Sequence, residues 1–204
     1  MSHQGVSAIV LAAGYSKRMA CLKQVLPVGG KPAVRVCVEN ILASGIRDVV
    51  VVVGHRHEEV VRALDGLPVR FALNEDVGEM SDSVRAGLGE VSSSSPGVMV
   101  VLSDHPFVKA ETMGTLAGRF LEDPDAVVIP RYDGRGGHPT VFPRSCLARV
   151  QEGGTLREAM ESAWCFLRVD VPDEGVITDL DYPGDYREAV IRGARKERWP
   201  NAQV

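Results

Sequence analysis

Short, continuous runs of apolar residues recur along the chain and predict buried β-strands. Ser7–Ala13 reads SAIVLAA and Asp48–Val53 reads DVVVVV, and each run ends at a glycine. Both are rich in β-branched residues and lack the polar alternation of a strand with one exposed face, so we expect both to be covered on two faces. Further strands are predicted at Arg70–Leu73, Gly97–Leu102, Ala126–Pro130, Thr140–Phe142 and Phe166–Val171.

Amphipathic stretches lie between these runs and predict helices. Lys31–Ser44 has Pro32 in its first turn, and its apolar residues recur at the spacing of one helix face. The alternation of strands and helices implies right-handed crossovers. We therefore predict an α/β fold with a doubly wound, mostly parallel, Rossmann-like sheet. The other predicted helices are Glu58–Leu64, Ser81–Val91, Lys109–Leu121, Leu156–Ala163 and Asp185–Arg192.

The pattern changes at Arg131, where a glycine-rich turn (YDGRGGHP) follows the last long apolar run. This change predicts a small lobe beside the main sheet. Trp164 and Phe166 flank the start of the last predicted strand, and we expect both aromatic side chains to pack in the core.

The composition is that of an ordinary globular protein. With 204 residues, 45% hydrophobic and 25% charged, we expect one domain over residues 1–195 and a flexible tail over 196–204. The 23 basic and 27 acidic residues give a net charge of −4, which argues against binding nucleic acid or an anionic membrane through bulk charge. Four widely spaced cysteines, and no apolar run near the ~18 residues of a membrane span, favour a cytoplasmic protein without a disulfide framework. The composition also allows a monomer.

The exit of the first strand is the first candidate ligand site. Leu11–Met19 reads LAAGYSKRM and is followed by Lys23. Ligands of open α/β sheets bind beyond the carboxyl ends of the strands, where small residues let backbone N–H groups approach an anion. Arg18 and Lys23 bring positive charge to such an anion. The alternative is a solvated loop with incidental basic residues, and neither GxGxxG nor GxxxxGK[ST] is present.

Two acidic segments are candidates for holding a metal ion. Asp104 lies in the sequence SDHP, directly after the predicted strand Gly97–Leu102. Mg²⁺ prefers one or two carboxylates together with phosphate oxygens and water, so Asp104 with an acid of Asp179–Pro183 would suit it. The alternatives are an ordinary turn aspartate before proline and a helix N-cap.

The segment Asn74–Gly87 starts a predicted helix with several hydroxyl and acidic side chains. Helix capping alone would explain Ser81. A hydroxyl group at this helix start, beside the exit of the first strand, could also contact the edge of a nucleotide base.

Taken in order, these segments resemble the MobA-like nucleotidyltransferases, and within them the branch that cytidylylates the molybdenum cofactor. The resemblance implies the nucleotide-diphospho-sugar transferase type of sheet with an acceptor-side lobe, and transfer of a nucleotidyl group with loss of pyrophosphate. The sequence LAAG favours CTP, because the guanylyl branch usually has a second glycine in place of Ala13. The motifs that carry the resemblance are LAAGYSKRM with Lys23, GEMSDSVRAGL, LSDHP, GRGGHPTVF and TDLDYPGDY.

The resemblance also implies a role for individual residues. Arg18, Lys23 and Asp104 would be catalytic, and Asp104 and Asp181 would hold Mg²⁺. Gly136, Gly137 and His138 would contact the acceptor, although a turn histidine with a structural role remains an alternative for His138. The residues implied to bind the nucleotide are Leu11, Ala12, Ala13, Gly14, Arg18, Lys23, Asn74, Gly78, Ser81 and Ser83.

The resemblance therefore predicts transfer of CMP from CTP to molybdopterin, with Mg²⁺ as cofactor and a molybdenum hydroxylase as recipient of the product. Two alternatives stay open. One is a nucleotidyltransferase that uses GTP or another acceptor, such as a sugar phosphate or an alcohol phosphate. The other is a nucleotide-binding module without turnover, although a mere binder has less need of both acids.

Overall fold

The computed structural model contains one central β-sheet, and it describes residues 5–15, 22–74, 78–182, 184 and 186. In this part of the chain eight strands form the sheet, in the order β10-β7-β9-β6-β1-β4-β5, with β8 paired to β7. A separate pair, β2 and β3, forms a small antiparallel hairpin. The strands are β1 (Val6–Leu11), β2 (Pro27–Val28), β3 (Lys31–Pro32), β4 (Val49–Val53), β5 (Arg70–Leu73), β6 (Gly97–Leu102), β7 (Ala126–Tyr132), β8 (Arg135–Gly136), β9 (Thr140–Pro143) and β10 (Cys165–Asp170).

Helices cover both faces of the sheet, as predicted for a doubly wound fold. Alternate residues of β1 point to opposite sides: Val10 belongs to the core under α1, α2 and α4, and Ile9 to the core under α3, α5 and α6. Both side chains are fully buried. This explains the continuous apolar runs, because a strand covered on two faces has no solvent-facing positions. The helices are α1 (Ala33–Ala43), α2 (His57–Ala63), α3 (Met80–Glu90), α4 (Ala110–Glu122), α5 (Arg144–Gln151) and α6 (Leu156–Glu161).

The sheet is mostly parallel, and its one inserted strand comes from the segment after Arg131. Strands β1, β4, β5 and β6 are parallel neighbours, and β10 is parallel to β7. Strand β9 lies between β6 and β7 and is antiparallel to both. The segment predicted as a lobe therefore extends the same sheet.

Helix α5 follows β9 directly and was not predicted from the sequence. Its buried residues are Cys146, Leu147 and Val150, which pack in the core shared with α3 and α6. Eight residues give too few turns for a clear helical period.

The prediction that Trp164 and Phe166 lie in the core is wrong. The side chain of Trp164 is 97% exposed and that of Phe166 is 38% exposed. Trp164 directly precedes β10 and Phe166 is its second residue, and β10 is the edge strand of the sheet in the described part of the chain. An edge strand has a neighbouring strand on one side only, so its side chains are covered less than those of the central strands.

Several predictions fall outside the described residues. These are Arg18, the tail 196–204 and all of the predicted helix Asp185–Arg192 except Tyr186. The Tyr186 hydroxyl donates a hydrogen bond to the Pro27 carbonyl (2.8 Å). Among the residues that the structure describes, no helix is long and apolar enough to cross a membrane.

Candidate active site

A pocket of about 210 Å³ opens at the carboxyl end of the sheet, between β1, β6 and the start of α3. Strands β1 and β6 are parallel neighbours, with Leu11 opposite Leu102, so their exit loops leave the sheet side by side. This is the edge where open α/β sheets bind ligands. The residues that line the pocket are Leu11, Ala13, Gly14, Lys23, Gln24, Gly78, Glu79, Met80, Ser83, Leu102, Ser103 and Asp104.

The loop after β1 is attached both to the sheet and to a buried glutamine. The Ala12 N–H donates to the Val52 carbonyl (2.9 Å), and the Ala12 side chain is buried in the core. The Gln24 amide donates to the Ala12 carbonyl (3.3 Å) and to the Gly14 carbonyl (3.1 Å). Gln24 is 1% exposed and lies in a short 3-10 turn, Lys23–Val25. These bonds fix the path of the backbone where the sequence predicts phosphate binding.

The neighbouring wall is formed by the ends of β4 and β5 and by α3. The Asn74 amide donates to the Ser83 hydroxyl (3.0 Å), which lines the pocket. A Cβ at Gly54 would lie 2.6 Å from the Asn74 carbonyl oxygen, so only glycine allows this close approach. The Ser81 hydroxyl accepts a hydrogen bond from the Leu156 N–H (2.9 Å) and so joins α3 to α6. Ser81 therefore supports the wall without lining the pocket.

Helix α3 is capped by Glu79 and not by a serine. The Glu79 N–H donates to the Asp82 carboxylate (2.9 Å) in a reciprocal capping box. Ser81 and Ser83 are therefore not needed as caps.

Lys23 lies between two carboxylates from distant parts of the chain. Its ammonium group donates to Asp104 Oδ2 (2.5 Å) and to Asp181 Oδ1 (2.8 Å). Asp104 follows β6, and its carbonyl accepts from the Leu180 N–H (3.0 Å), which fixes the segment that carries Asp181. Burial disfavours the ammonium, but the two carboxylates outweigh burial and raise the pKa of Lys23 above its ordinary value.

The residues around Asp104 fit a divalent cation that also has nucleotide oxygens as ligands. Asp104 Oδ1 is buried and has no hydrogen-bond partner among the described residues. Asp181 presents its carboxylate to the same ammonium group as Asp104. Within the described ranges no group of three or more His, Cys, Asp or Glu side chains could hold a metal. Two carboxylates with phosphate oxygens and water are nevertheless the usual ligands of Mg²⁺ at nucleotide sites.

The glycine-rich turn before β9 places His138 beside this acidic group. The Gly137 N–H donates to the Pro130 carbonyl (2.9 Å) and the His138 N–H to the Val176 carbonyl (2.8 Å). A Cβ at Gly137 would lie 2.1 Å from the Val176 carbonyl oxygen, so this position needs glycine. The turn is therefore held on both sides by backbone hydrogen bonds.

The His138 ring is neutral over the physiological pH range. The rings of His138 and His105 meet edge to face with centroids 5.3 Å apart. Burial and then the neighbouring His105 lower the pKa of His138 to about 4, against the opposing effect of Asp104. His138 Nδ1 is buried and has no hydrogen-bond partner in the described part of the chain. The neutral ring can therefore exchange a hydrogen bond with a ligand.

The structure brings most of the predicted site residues together. Ala12, Asn74, Ser81 and Asp181 support the pocket from behind or beside its lining. His138 lies near Asp104 but outside the lining, Gly136 and Gly137 belong to the turn that precedes it, and Arg18 is not described. Lining residues that were predicted from the sequence are Leu11, Ala13, Gly14, Lys23, Gly78, Ser83 and Asp104.

Sequence reasoning missed five residues of the pocket wall, which are Gln24, Glu79, Met80, Leu102 and Ser103. Leu102 could have been found, because it is the last residue of a predicted strand whose carboxyl end faces the site. For Gln24 no sequence signal was available, since a polar residue after Lys23 also suits a solvated turn.

Comparison with known proteins gives consistent results. GlmU, a bifunctional protein of Caldicellulosiruptor saccharolyticus, is 35% identical over 125 residues, which is 59% of this chain and 27% of GlmU. The chain thus spans about a quarter of the length of this curated relative.

Two solved structures cover almost the whole chain. The homologue of Mycobacterium tuberculosis Rv0371c from Mycobacterium sp. strain JC1 has a TM-score of 0.81 at 25% identity, over 96% of this chain and 100% of that one. A nucleotidyl transferase from Methanothermobacter thermautotrophicus also has a TM-score of 0.81, at 23% identity, over 94% of this chain and 98% of that one. The similarity to this second structure shows that the two chains share a fold.

The profile of the MobA-like NTP transferase domain matches residues 8–173. This range includes the loop after β1, the start of α3, Asp104 and the turn with His138. The chain therefore belongs to the MobA-like NTP transferase family.

Proposed function

We propose that this protein is a Mg²⁺-dependent nucleotidyltransferase that transfers CMP from CTP to molybdopterin and releases pyrophosphate. The observation that carries the proposal is the cluster of Lys23, Asp104 and Asp181 in and beside the pocket wall. A cation and two carboxylates at the carboxyl edge of the sheet suit a magnesium-bound triphosphate.

The residues of this chain position the substrates and neutralise the negative charge of the triphosphate. The loop at Ala13 and Gly14 brings backbone N–H groups to the phosphates, and Lys23 contributes an ammonium group. Asp104 and Asp181 would hold Mg²⁺, which supplies further positive charge at the phosphates when it is bound. The reaction is an in-line attack of an acceptor phosphate oxygen on the α-phosphorus, so no nucleophilic side chain is needed.

The base and the acceptor are assigned to different walls of the site. Ser83, which accepts a hydrogen bond from Asn74 and lines the pocket at α3, would contact the base, and the sequence LAAG favours cytosine. His138, which lies near Asp104, would contact the acceptor. A molybdenum hydroxylase as recipient of the product, a monomeric state and a cytoplasmic location stay predictions from the sequence.

The test is pyrophosphate release from purified protein with CTP, GTP, ATP or UTP, each with molybdopterin, with a sugar phosphate or an alcohol phosphate, and without any acceptor. We expect release with CTP that depends on molybdopterin. Release with CTP or another nucleotide and a sugar phosphate or alcohol phosphate would select the alternative acceptor. Tight binding of a nucleotide without release under any of these conditions would contradict an enzymatic role.

A further inference from the structure

The two carboxylates proposed to hold Mg²⁺ already share a cation of the protein itself. Lys23 Nζ lies 2.5 Å from Asp104 Oδ2 and 2.8 Å from Asp181 Oδ1. The side chains of Lys23 and Asp104 are only 16% and 15% exposed, so water screens this ion pair weakly. The ammonium group therefore occupies the space between the two acids that a bridging cation would take.

A divalent cation and the Lys23 ammonium compete for the same oxygens. A metal ion that enters the space between the acids would have to displace the ammonium and would still lie close to its positive charge. Two like charges at short range in a partly buried site repel each other strongly. Free metal should therefore bind weakly until an incoming anion draws the ammonium away from the two acids.

A nucleoside triphosphate supplies that anion. Lys23 and Gly14 both line the pocket, so phosphate oxygens placed over the loop lie within reach of the Lys23 side chain. An ammonium that moves from the carboxylates to a phosphate leaves both acids available. The triphosphate also brings the additional oxygen ligands that Mg²⁺ needs beyond two carboxylates.

We infer that Lys23 excludes divalent metal from the Asp104–Asp181 pair until a nucleoside triphosphate binds, so that metal and nucleotide enter together. This inference rests on the proposed function, because it assigns Lys23 a second role in the same site. According to this inference, the affinity of the site for metal depends on bound nucleotide through the position of one side chain. No movement of a domain is required.

The test measures binding of Mn²⁺, added as manganese chloride, by electron paramagnetic resonance of the free ion. Wild type is titrated alone and with α,β-methylene CTP, which cannot release pyrophosphate. After subtraction of the Mn²⁺ that the analogue binds in protein-free solution, we expect weak binding to wild type alone and at least tenfold tighter binding with the nucleotide analogue. Lys23→Met without nucleotide should bind Mn²⁺ at least tenfold more tightly than wild type, because the competing ammonium is gone.

Three further variants test whether the change in Mn²⁺ affinity depends on the positive charge at Lys23 and on Asp104. Lys31→Met removes a lysine that pairs with Glu39 at an exposed position and should behave as wild type. Lys23→Arg keeps a cation between the acids and should also bind Mn²⁺ weakly without nucleotide. Adding Asp104→Asn to Lys23→Met should abolish the gained affinity, and circular dichroism confirms that each variant is folded.

The inference is overturned if folded Lys23→Met binds Mn²⁺ no more tightly than wild type, or if wild type already binds Mn²⁺ tightly without nucleotide. Failure of the proposed function gives a different result. In that case the nucleotide analogue does not bind to wild type, as measured by calorimetry in the presence of magnesium chloride, while the comparison of metal affinities in nucleotide-free protein remains interpretable.

Discussion

Replacing Gln24 by methionine tests whether the loop after β1 depends on a single buried amide. Methionine has a similar size and shape but cannot donate a hydrogen bond. The change removes both bonds of the Gln24 amide to the loop, at 3.3 Å to the Ala12 carbonyl and at 3.1 Å to the Gly14 carbonyl. The Ala12 carbonyl then loses its donor in a buried region, whereas the Gly14 carbonyl belongs to an exposed residue and can bind water instead.

The cost follows from these two contacts. A buried acceptor that loses its partner costs about 1–3 kcal/mol. Because only the Ala12 carbonyl is buried, we expect about 2 kcal/mol for the pair. For a domain of this size 1 kcal/mol lowers the melting temperature by about 2–4 °C, which gives a decrease of about 4–8 °C. Loosening the loop should also raise KM for the nucleotide by about tenfold, because the backbone N–H groups lose their fixed positions.

Thermal unfolding followed by circular dichroism and steady-state kinetics with CTP measure the two effects. Gln151→Met is the matched control, because Gln151 is exposed at the end of α5 and the same change should leave both quantities unaltered. Gln24→Glu should be at least as damaging as Gln24→Met, since a carboxylate faces two carbonyl oxygens. A melting temperature and KM of Gln24→Met equal to those of wild type would refute the reasoning.

Three further predictions concern the acids and the turn beside them. Asp104→Asn should lower turnover by about 10²–10³-fold with the fold intact, because charge that would hold the metal at the phosphates is lost, and kinetics with circular dichroism test this. Gly137→Ala should lower the free energy of unfolding by about 3 kcal/mol in a denaturant titration, because its Cβ would lie 2.1 Å from the Val176 carbonyl oxygen. His138 has a pKa of about 4 in the fold against 6.5 ordinarily, so the unfolded chain binds more protons between these pH values. The free energy of unfolding should therefore fall by about 3 kcal/mol as the pH drops from 6.5 to 4, and denaturant titrations of His138→Asn should show a smaller fall.

Each of these predictions has a matched control. Asp65→Asn changes an exposed aspartate after α2 and should keep full turnover. Gly136→Ala should be tolerated, since the nearest atom to its Cβ would be Ile129 Cγ2 at 3.7 Å. His57→Asn changes an exposed histidine and should leave the acid-induced fall in place. Normal turnover of Asp104→Asn, wild-type stability of Gly137→Ala or an unchanged fall in His138→Asn would each contradict the corresponding argument.

The strands and helices were largely predictable because their signals are local. The run Asp48–Val53 contains five consecutive valines, and the structure buries all of them in β4 (Val49–Val53). Helix α1 was predicted from the spacing of its apolar residues and starts at Ala33, directly after Pro32. Residues that form such elements are neighbours along the chain, so propensity and periodicity are sufficient to recognise them.

The position of β9 and the exposure of Trp164 could not be predicted in this way. Thr140–Pro143 reads as a short strand, but its insertion between β6 and β7 depends on which strand edges remain open after the rest of the sheet forms. Trp164 has the composition of a core residue, and it is exposed because it adjoins an edge strand. Both outcomes depend on strand order, which a local pattern does not contain.

The class of fold follows from local patterns in the sequence, which also predict the loop after β1 and the acids that could hold a metal. The contacts of Lys23 with Asp181, 158 positions away, and with Asp104, 81 positions away, are visible only in the folded chain. The support of the loop by Gln24, and not by a more conspicuous polar residue, is also visible only there. Helices and strands depend on residues that are close in the chain, whereas a site of paired charges depends on how distant segments pack together.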